Sequence, residues 1–223
     1  MLPARELVAV HAWPQDQWLA VQALRSVQAM AVISVPTPAN ENRLVARNLV
    51  RSALRETLGA LLDQPAASIA LASRPGGAIR INSTPFRLSL SISHSPGVSV
   101  AAIYRGASIG TDVMRIETDP QEPLDWMRLA CDYMGPQVTA LLQTTPPETF
   151  PSAFARAWTG FEASLKCLGL ALTEWSPELG KQLAWCRVVG LNLPANYCGS
   201  VAIGANIPDI PHPGPCANLW PEL

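Results

Sequence analysis

The chain has 223 residues, 48% of them hydrophobic and 15% charged, a balance that excludes a disordered or fibrous polypeptide and allows one large domain or two small ones. Its formal net charge of −1 excludes the broad basic surface on which non-specific nucleic-acid binding depends. No run approaches the roughly 18–20 apolar residues of a membrane-spanning helix, so no membrane partner is expected.

The opening residues, Met1-Leu2-Pro3-Ala4-Arg5-Glu6, lack a basic stretch followed by an apolar core, so a cytoplasmic location is expected. Residues 6–13 (ELVAVHAW) alternate and predict an early strand. Asp16 is the expected cap of a helix over 17–28, and residues 40–62 carry a strong helical pattern that ends at Gln64-Pro65. A short strand over 68–72 precedes a turn at Arg74-Pro75-Gly76-Gly77. Residues 86–92 (FRLSLSI) alternate as a half-buried strand. Val98–Tyr104 and residues 107–114 read as two further strands, with Gly106 turning the chain between them.

After Pro120 the texture changes. Residues 120–150 are rich in Pro, Thr and Gln around a short helical stretch near 124–133, and a mobile flap or loosely packed connection is expected there. Residues 154–168 form the strongest helical pattern, stopped by Gly169. Residues 182–193 and 197–203 read as closing strands, and the Pro-rich tail from Ile207 as irregular. Five cysteines (Cys131, Cys167, Cys186, Cys198, Cys216) form no C-x-x-C pair and are expected to be reduced, buried thiols.

The expected class is therefore α+β. Each half runs roughly helix-then-strands, which predicts two similar, pseudo-symmetric α/β lobes, each a small, mainly antiparallel sheet on a long helix. The N-terminal lobe spans 1–106 and the C-terminal lobe 107–223. No internal repeat is strong enough to demonstrate duplication.

Chemistry concentrates in a few stretches. Glu162 and Lys166 lie four apart and share a helix face, as an exposed ion pair or as part of a site; Trp158, one turn earlier on nearly the same face, favours a face that meets something. Asp112 follows Ile109-Gly110-Thr111 at a strand end, either capping a turn or presenting a carboxylate, and Gly110 permits the close approach of a backbone or ligand. His94 lies among hydroxyls in Ser91-Ile92-Ser93-His94-Ser95, as a structural histidine or as part of a phosphate cradle. Arg43, Arg47, Arg51 and Arg55 recur every four residues, as a solvated helix face or as phosphate-binding forks.

In this order the segments resemble the 4'-phosphopantetheinyl transferases of the two-lobed, monomeric type that activates peptide and polyketide synthases. The family pattern is Gly-x-Asp, then Trp-[Ser/Thr]-x-Lys-Glu-[Ala/Ser]-x-x-Lys. Here these read Gly110-Thr111-Asp112 and Trp158-Thr159-Gly160-Phe161-Glu162-Ala163-Ser164-Leu165-Lys166. The upstream Asn-x-Ser-His-Ser strand end appears as Ser91–Ser95 in the altered form quoted above, and early helix arginines are matched by Arg43 and Arg51.

The resemblance spans roughly residues 40–170. It implies coenzyme A as donor, Mg²⁺ (with Mn²⁺ as substitute) as cofactor, and a serine of an acyl or peptidyl carrier protein as acceptor, with release of 3',5'-ADP. Asp112 and Glu162 would hold the metal, and Asp112, Glu162 and Lys166 would be the catalytic group. Coenzyme A would meet Arg43, Arg74, Gly76, Gly77, Ser93, His94, Asp112 and Lys166. The carrier is expected to meet the 120–150 region with Trp126 and Met134.

Three positions depart from the pattern. Met114 stands where many members have a second carboxylate of the aspartate motif, and a thioether is a poor ligand for Mg²⁺. Phe161 replaces the lysine before the glutamate. Gly77 stands near a position where a cation is usual.

Overall fold

The computed structural model of the chain describes residues 7–39, 43–73, 78–82, 84, 86–116 and 123–204, arranged as a mixed α+β architecture. Its first sheet has the order β1-β2-β6-β5, made of β1 (Val10–Ala12), β2 (Met30–Pro36), β6 (Val98–Tyr104) and β5 (Ser89–Ser95). β1 runs parallel to β2 and the other pairs are antiparallel. Strand β2 was not among the elements expected from the sequence. It is buried on both faces, so its MAVISVP run is apolar at every position but Ser34 and shows no alternation. Ile33 and Val35 face the core formed with α1 (Gln17–Arg25) and α2 (Arg43–Leu62), which contribute Leu24, Val50, Leu54 and Leu58. Val32 faces the other way, with Val98, Val100 and Ala102.

Those residues pack against Ile109, Val113 and Val201 of a second, antiparallel sheet. Its order is β7-β9-β8, from β7 (Ile109–Arg115), β9 (Tyr197–Gly204) and β8 (Cys186–Gly190). The opposite face of this sheet is covered by α5 (Phe150–Leu168), where Ala163 and Cys167 meet Ala202. Gly169, at φ 70°, ends α5 in the left-handed conformation that glycine adopts without steric cost. A two-stranded ribbon of β3 (Leu71–Ala72) and β4 (Arg80–Ile81) completes the strands.

The N-terminal strand is shorter than its alternating pattern and serves both sheets. Val8 forms an isolated parallel bridge with Leu191, its N–H donating to Gly190 O at 2.9 Å. Two residues later Val10 joins β2. Asp16 precedes α1 but does not cap it with its side chain; the carboxylate accepts instead from Ala12 N–H at 3.1 Å, and the helix stops at Arg25. Strand β5 begins at Ser89, with Phe86 and Leu88 anchored in the core ahead of it. The expected strand over 182–193 divides into α6 (Pro177–Leu183), capped by Ser176 Oγ accepting from Leu179 N–H at 3.1 Å, and β8.

The largest correction falls on residues 123–143, expected to be a mobile flap or loosely packed connection around a short helical stretch near 124–133. They are helical: α3 (Pro123–Leu129), a π-helical turn over Ala130–Met134, and α4 (Gly135–Gln143). Trp126 stacks on Phe154 (centroids 5.1 Å apart) and on Phe150 (6.1 Å), and Met134 is buried in the same cluster. The polar Pro/Thr/Gln composition hides these apolar anchors, which find their partners only on α5. Trp126 is half-buried and Met134 buried, so both help pack these helices onto α5. Arg74, Gly76, Gly77 and the Pro-rich tail lie outside the described residues. Among the described residues no helix is long and apolar enough to cross a membrane. The four described cysteines are free; Cys131 is exposed rather than buried.

Candidate active site

Strand β7 alternates sharply. Ile109 and Val113 point into the core between the sheets, while Gly110, Asp112 and Met114 point towards α5. Helix α5 lies so close that a Cβ on Gly110 would sit 2.0 Å from Ala163 O and 2.4 Å from Cys167 N. The glycine admits the helix backbone itself, and that approach brings Glu162 and Lys166 beside Asp112.

The resulting constellation is tight. Lys166 Nζ donates to Asp112 Oδ1 at 2.6 Å and lies 3.6 Å from Glu162 Oε2. Ser93 Oγ donates to the same Oδ1 at 2.6 Å and accepts from Lys166 Nζ at 3.3 Å. The Asp112 side chain is 6% exposed, those of Glu162 and Lys166 28% and 32%. Burial pushes the Glu162 carboxyl above its ordinary pKa, and the Asp112 charge adds to this; the Lys166 ammonium and a hydrogen bond from the Trp158 side chain oppose it.

Strand β5 reaches the site through a run of hydroxyls, of which Ser93 alone was expected to have a role of its own beside His94. Ser91, Ser93 and Ser95 accept from the backbone N–H groups of Thr111 (3.0 Å), Val113 (3.3 Å) and Arg115 (2.9 Å). The constant offset of 20 residues shows that β5 and β7 run side by side in the same direction. Serine side chains take the place of a carbonyl ladder along β7, and the middle one also holds Asp112. The sequence signal was the S-x-S-x-S spacing, which puts three hydroxyls on one strand face.

His94 points to the opposite face of β5, where Nδ1 is 2.7 Å from Ser99 Oγ. Its pKa is lowered to about 4, first by burial and then by the charges of Arg43, Lys166 and Arg47. The imidazole is thus neutral at pH 7 in a neighbourhood of three cations, a setting that favours an anion. Arg51 does not join them. It is committed to Leu71 O (2.9 Å) and Ser73 Oγ (3.0 Å), so it fixes α2 to β3.

Of the residues expected at the site, Asp112, Glu162, Lys166 and Ser93 come together by direct contact; His94 feels the charge of Lys166, and among the described residues Arg43 is linked only to His94. Met114 packs among Phe154, Trp126 and Trp158, and Phe161 is buried with Leu165 and Leu179. Both departures from the family pattern are thus filled by core packing. Among the described residues no group of three His, Cys, Asp or Glu side chains converges as a ready-made metal site. Asp112 and Glu162 supply two hard carboxylates about one ammonium. No family model matches the chain, and no curated protein matches it.

Proposed function

We propose that this chain is a 4'-phosphopantetheinyl transferase that moves the phosphopantetheine arm of coenzyme A onto a serine of an acyl or peptidyl carrier protein and releases 3',5'-ADP. The observation that carries the reading is the meeting of three separate stretches, at Ser93, Asp112 and Glu162–Lys166, around Lys166 Nζ, with His94 on the other face of β5 feeling the Lys166 charge. That meeting gathers two carboxylates and an ammonium, a charge set suited to a metal-bound diphosphate.

The residues present fit a hard divalent cation. Asp112 and Glu162 offer oxygens, and the Lys166 ammonium between them marks where their negative charge converges. Bound Mg²⁺, or Mn²⁺ in its place, would neutralise charge building on the diphosphate. The carrier serine Oγ attacks the phosphorus of the phosphopantetheine phosphate, and the bond from that phosphorus to the bridging oxygen breaks, leaving the electron pair on 3',5'-ADP. Glu162, whose pKa is already raised, takes the serine proton. Lys166 and Arg43 supply charge to phosphate oxygens, and neutral His94 supplies a hydrogen bond.

The finer architecture belongs to the same reading. One long helix on each sheet, α2 and α5, supports two lobes, 1–106 and 107–223, joined at Gly106. A monomer in the cytoplasm, acting on a protein rather than on nucleic acid or membrane, accords with the near-neutral charge.

Incubation with coenzyme A, Mg²⁺ and a panel of apo carriers tests the proposal by mass spectrometry. One carrier should gain the mass of a phosphopantetheine group, and Asp112→Ala or Glu162→Ala should abolish the gain; turnover near the wild-type level in either variant would refute the site. A second reading, a silent binder of coenzyme A or carrier, draws on the packing of half-buried Met114 against an apolar cluster, which leaves two carboxylates rather than three. Coenzyme A binding by calorimetry with no carrier modified would favour it.

A further inference from the structure

We infer that Lys166 is a two-position cation: it fills the metal site when no ligand is bound, and an arriving divalent ion displaces it onto the diphosphate, so that metal and anion binding are coupled through one side chain. This rests on the transferase reading of the site and adds to it an order of events particular to this chain.

The geometry carries the inference. Lys166 Nζ sits 2.6 Å from Asp112 Oδ1 and 3.6 Å from Glu162 Oε2, the two carboxylates offered to the metal. With Met114 packed into the aromatic cluster, the strand supplies no further carboxylate two residues on to hold a divalent ion beside the ammonium. The two cations therefore compete for the same oxygens. A dication wins on charge, because its attraction to each carboxylate is about twice that of an ammonium at equal distance.

Asp112 cannot follow the lysine, because it lies on a strand 6% exposed and is held by Ser93 Oγ at 2.6 Å. Lys166 is 32% exposed, on a flexible four-carbon stem. Its charge is already felt by His94, together with those of Arg43 and Arg47. Displaced towards that side, the ammonium joins the anion-favouring group, where phosphate oxygens replace the carboxylate as its partner. By reciprocity the anion, in taking up the lysine, tightens the metal by the same factor, of the order of 5–150-fold.

The chain contains two lysines, Lys166 and Lys181, and Lys181 is exposed on α6, so amine chemistry reads the switch directly. The full-length protein is treated with an N-hydroxysuccinimide ester, and the rate at each lysine is mapped by mass spectrometry. Lys166 should react slowly alone, about threefold or more faster with Mn²⁺, and slowly again with Mn²⁺ plus pyrophosphate, while Lys181 stays constant as the internal standard. In parallel, Mn²⁺ titration of Lys166→Met without pyrophosphate should show binding about tenfold tighter than wild type, the competitor having been removed.

Mn²⁺ that binds the wild-type protein without altering the Lys166 rate, or that binds Lys166→Met no more tightly, overturns the switch and leaves the transferase reading standing. Mn²⁺ that does not bind at all overturns both.

Discussion

Gly110 of β7 lies directly beneath Ala163 of α5, so close that a Cβ on the glycine would come within 2.0 Å of the Ala163 carbonyl oxygen. Every distance in the candidate site descends from this contact, because Glu162 and Lys166 flank Ala163 on the helix and Asp112 is two residues along the strand. Both atoms a methyl would strike, Ala163 O and Cys167 N, are backbone and cannot rotate away. Gly110→Ala should therefore cost about 3 kcal/mol or more in urea unfolding. Transfer should be lost with the helix displaced, although every chemical group remains. A variant with wild-type stability would show that α5 adjusts freely.

The serine ladder makes a graded prediction. Ser91 and Ser93 satisfy N–H groups of buried Thr111 and Val113, whereas Ser95 bonds the more exposed Arg115. An unsatisfied buried N–H costs about 1–3 kcal/mol, and an exposed one turns to water. Ser91→Ala and Ser93→Ala should each destabilise by that amount, and Ser95→Ala by about 0.5 kcal/mol or less. Ser93→Ala should in addition reduce transfer, since Asp112 loses a partner. Equal effects at all three positions would count against the ladder.

His94 sets a pH dependence with a definite sign. Its ordinary value of 6.5 falls to about 4 in the fold, held there by burial and by Arg43, Lys166 and Arg47. Between those values the unfolded chain binds a proton that the native one does not, so stability falls as the pH drops from 6.5 towards 4. Urea unfolding of His94→Gln should show a flatter slope in that window. An NMR titration of the wild-type imidazole with a midpoint near 6.5 would refute the cationic neighbourhood.

Trp126 distinguishes packing from recognition. Its ring stacks 5.1 Å from Phe154 and 6.1 Å from Phe150, centroid to centroid. Trp126→Ala should destabilise by about 3 kcal/mol, through lost area and a residual cavity, with a lowered thermal midpoint. Unchanged stability with weakened carrier binding would assign it to the carrier surface instead.

Local rules were enough to read much of this molecule before any coordinates. α2 and α5 announce themselves by long apolar periodicity and clear stops, and β6 by an apolar run bounded by turn residues. Asp112, Glu162 and Lys166 were legible as chemistry because carboxylate and amine types at those spacings invite it. β2 was not legible, since burial on both faces erases alternation. The helical stretch near 124–133 was legible, but its continuation to 143 and its packing were not, because its few apolar anchors acquire meaning only against the aromatic face of α5.

What the sequence alone determined is the mixed α+β class, the two principal helices and the residue types available for reaction, all of which follow from interactions within a few positions along the chain. Tertiary structure decided which of those residues meet. It joined Ser93, Asp112 and Lys166, committed Arg51 to anchoring β3, packed half-buried Met114 among aromatic side chains and buried Phe161 among apolar ones. The physical reason is that contact between segments 19 to 73 positions apart depends on how closely a helix and two strands can approach, and here that approach rests on the missing side chain of Gly110.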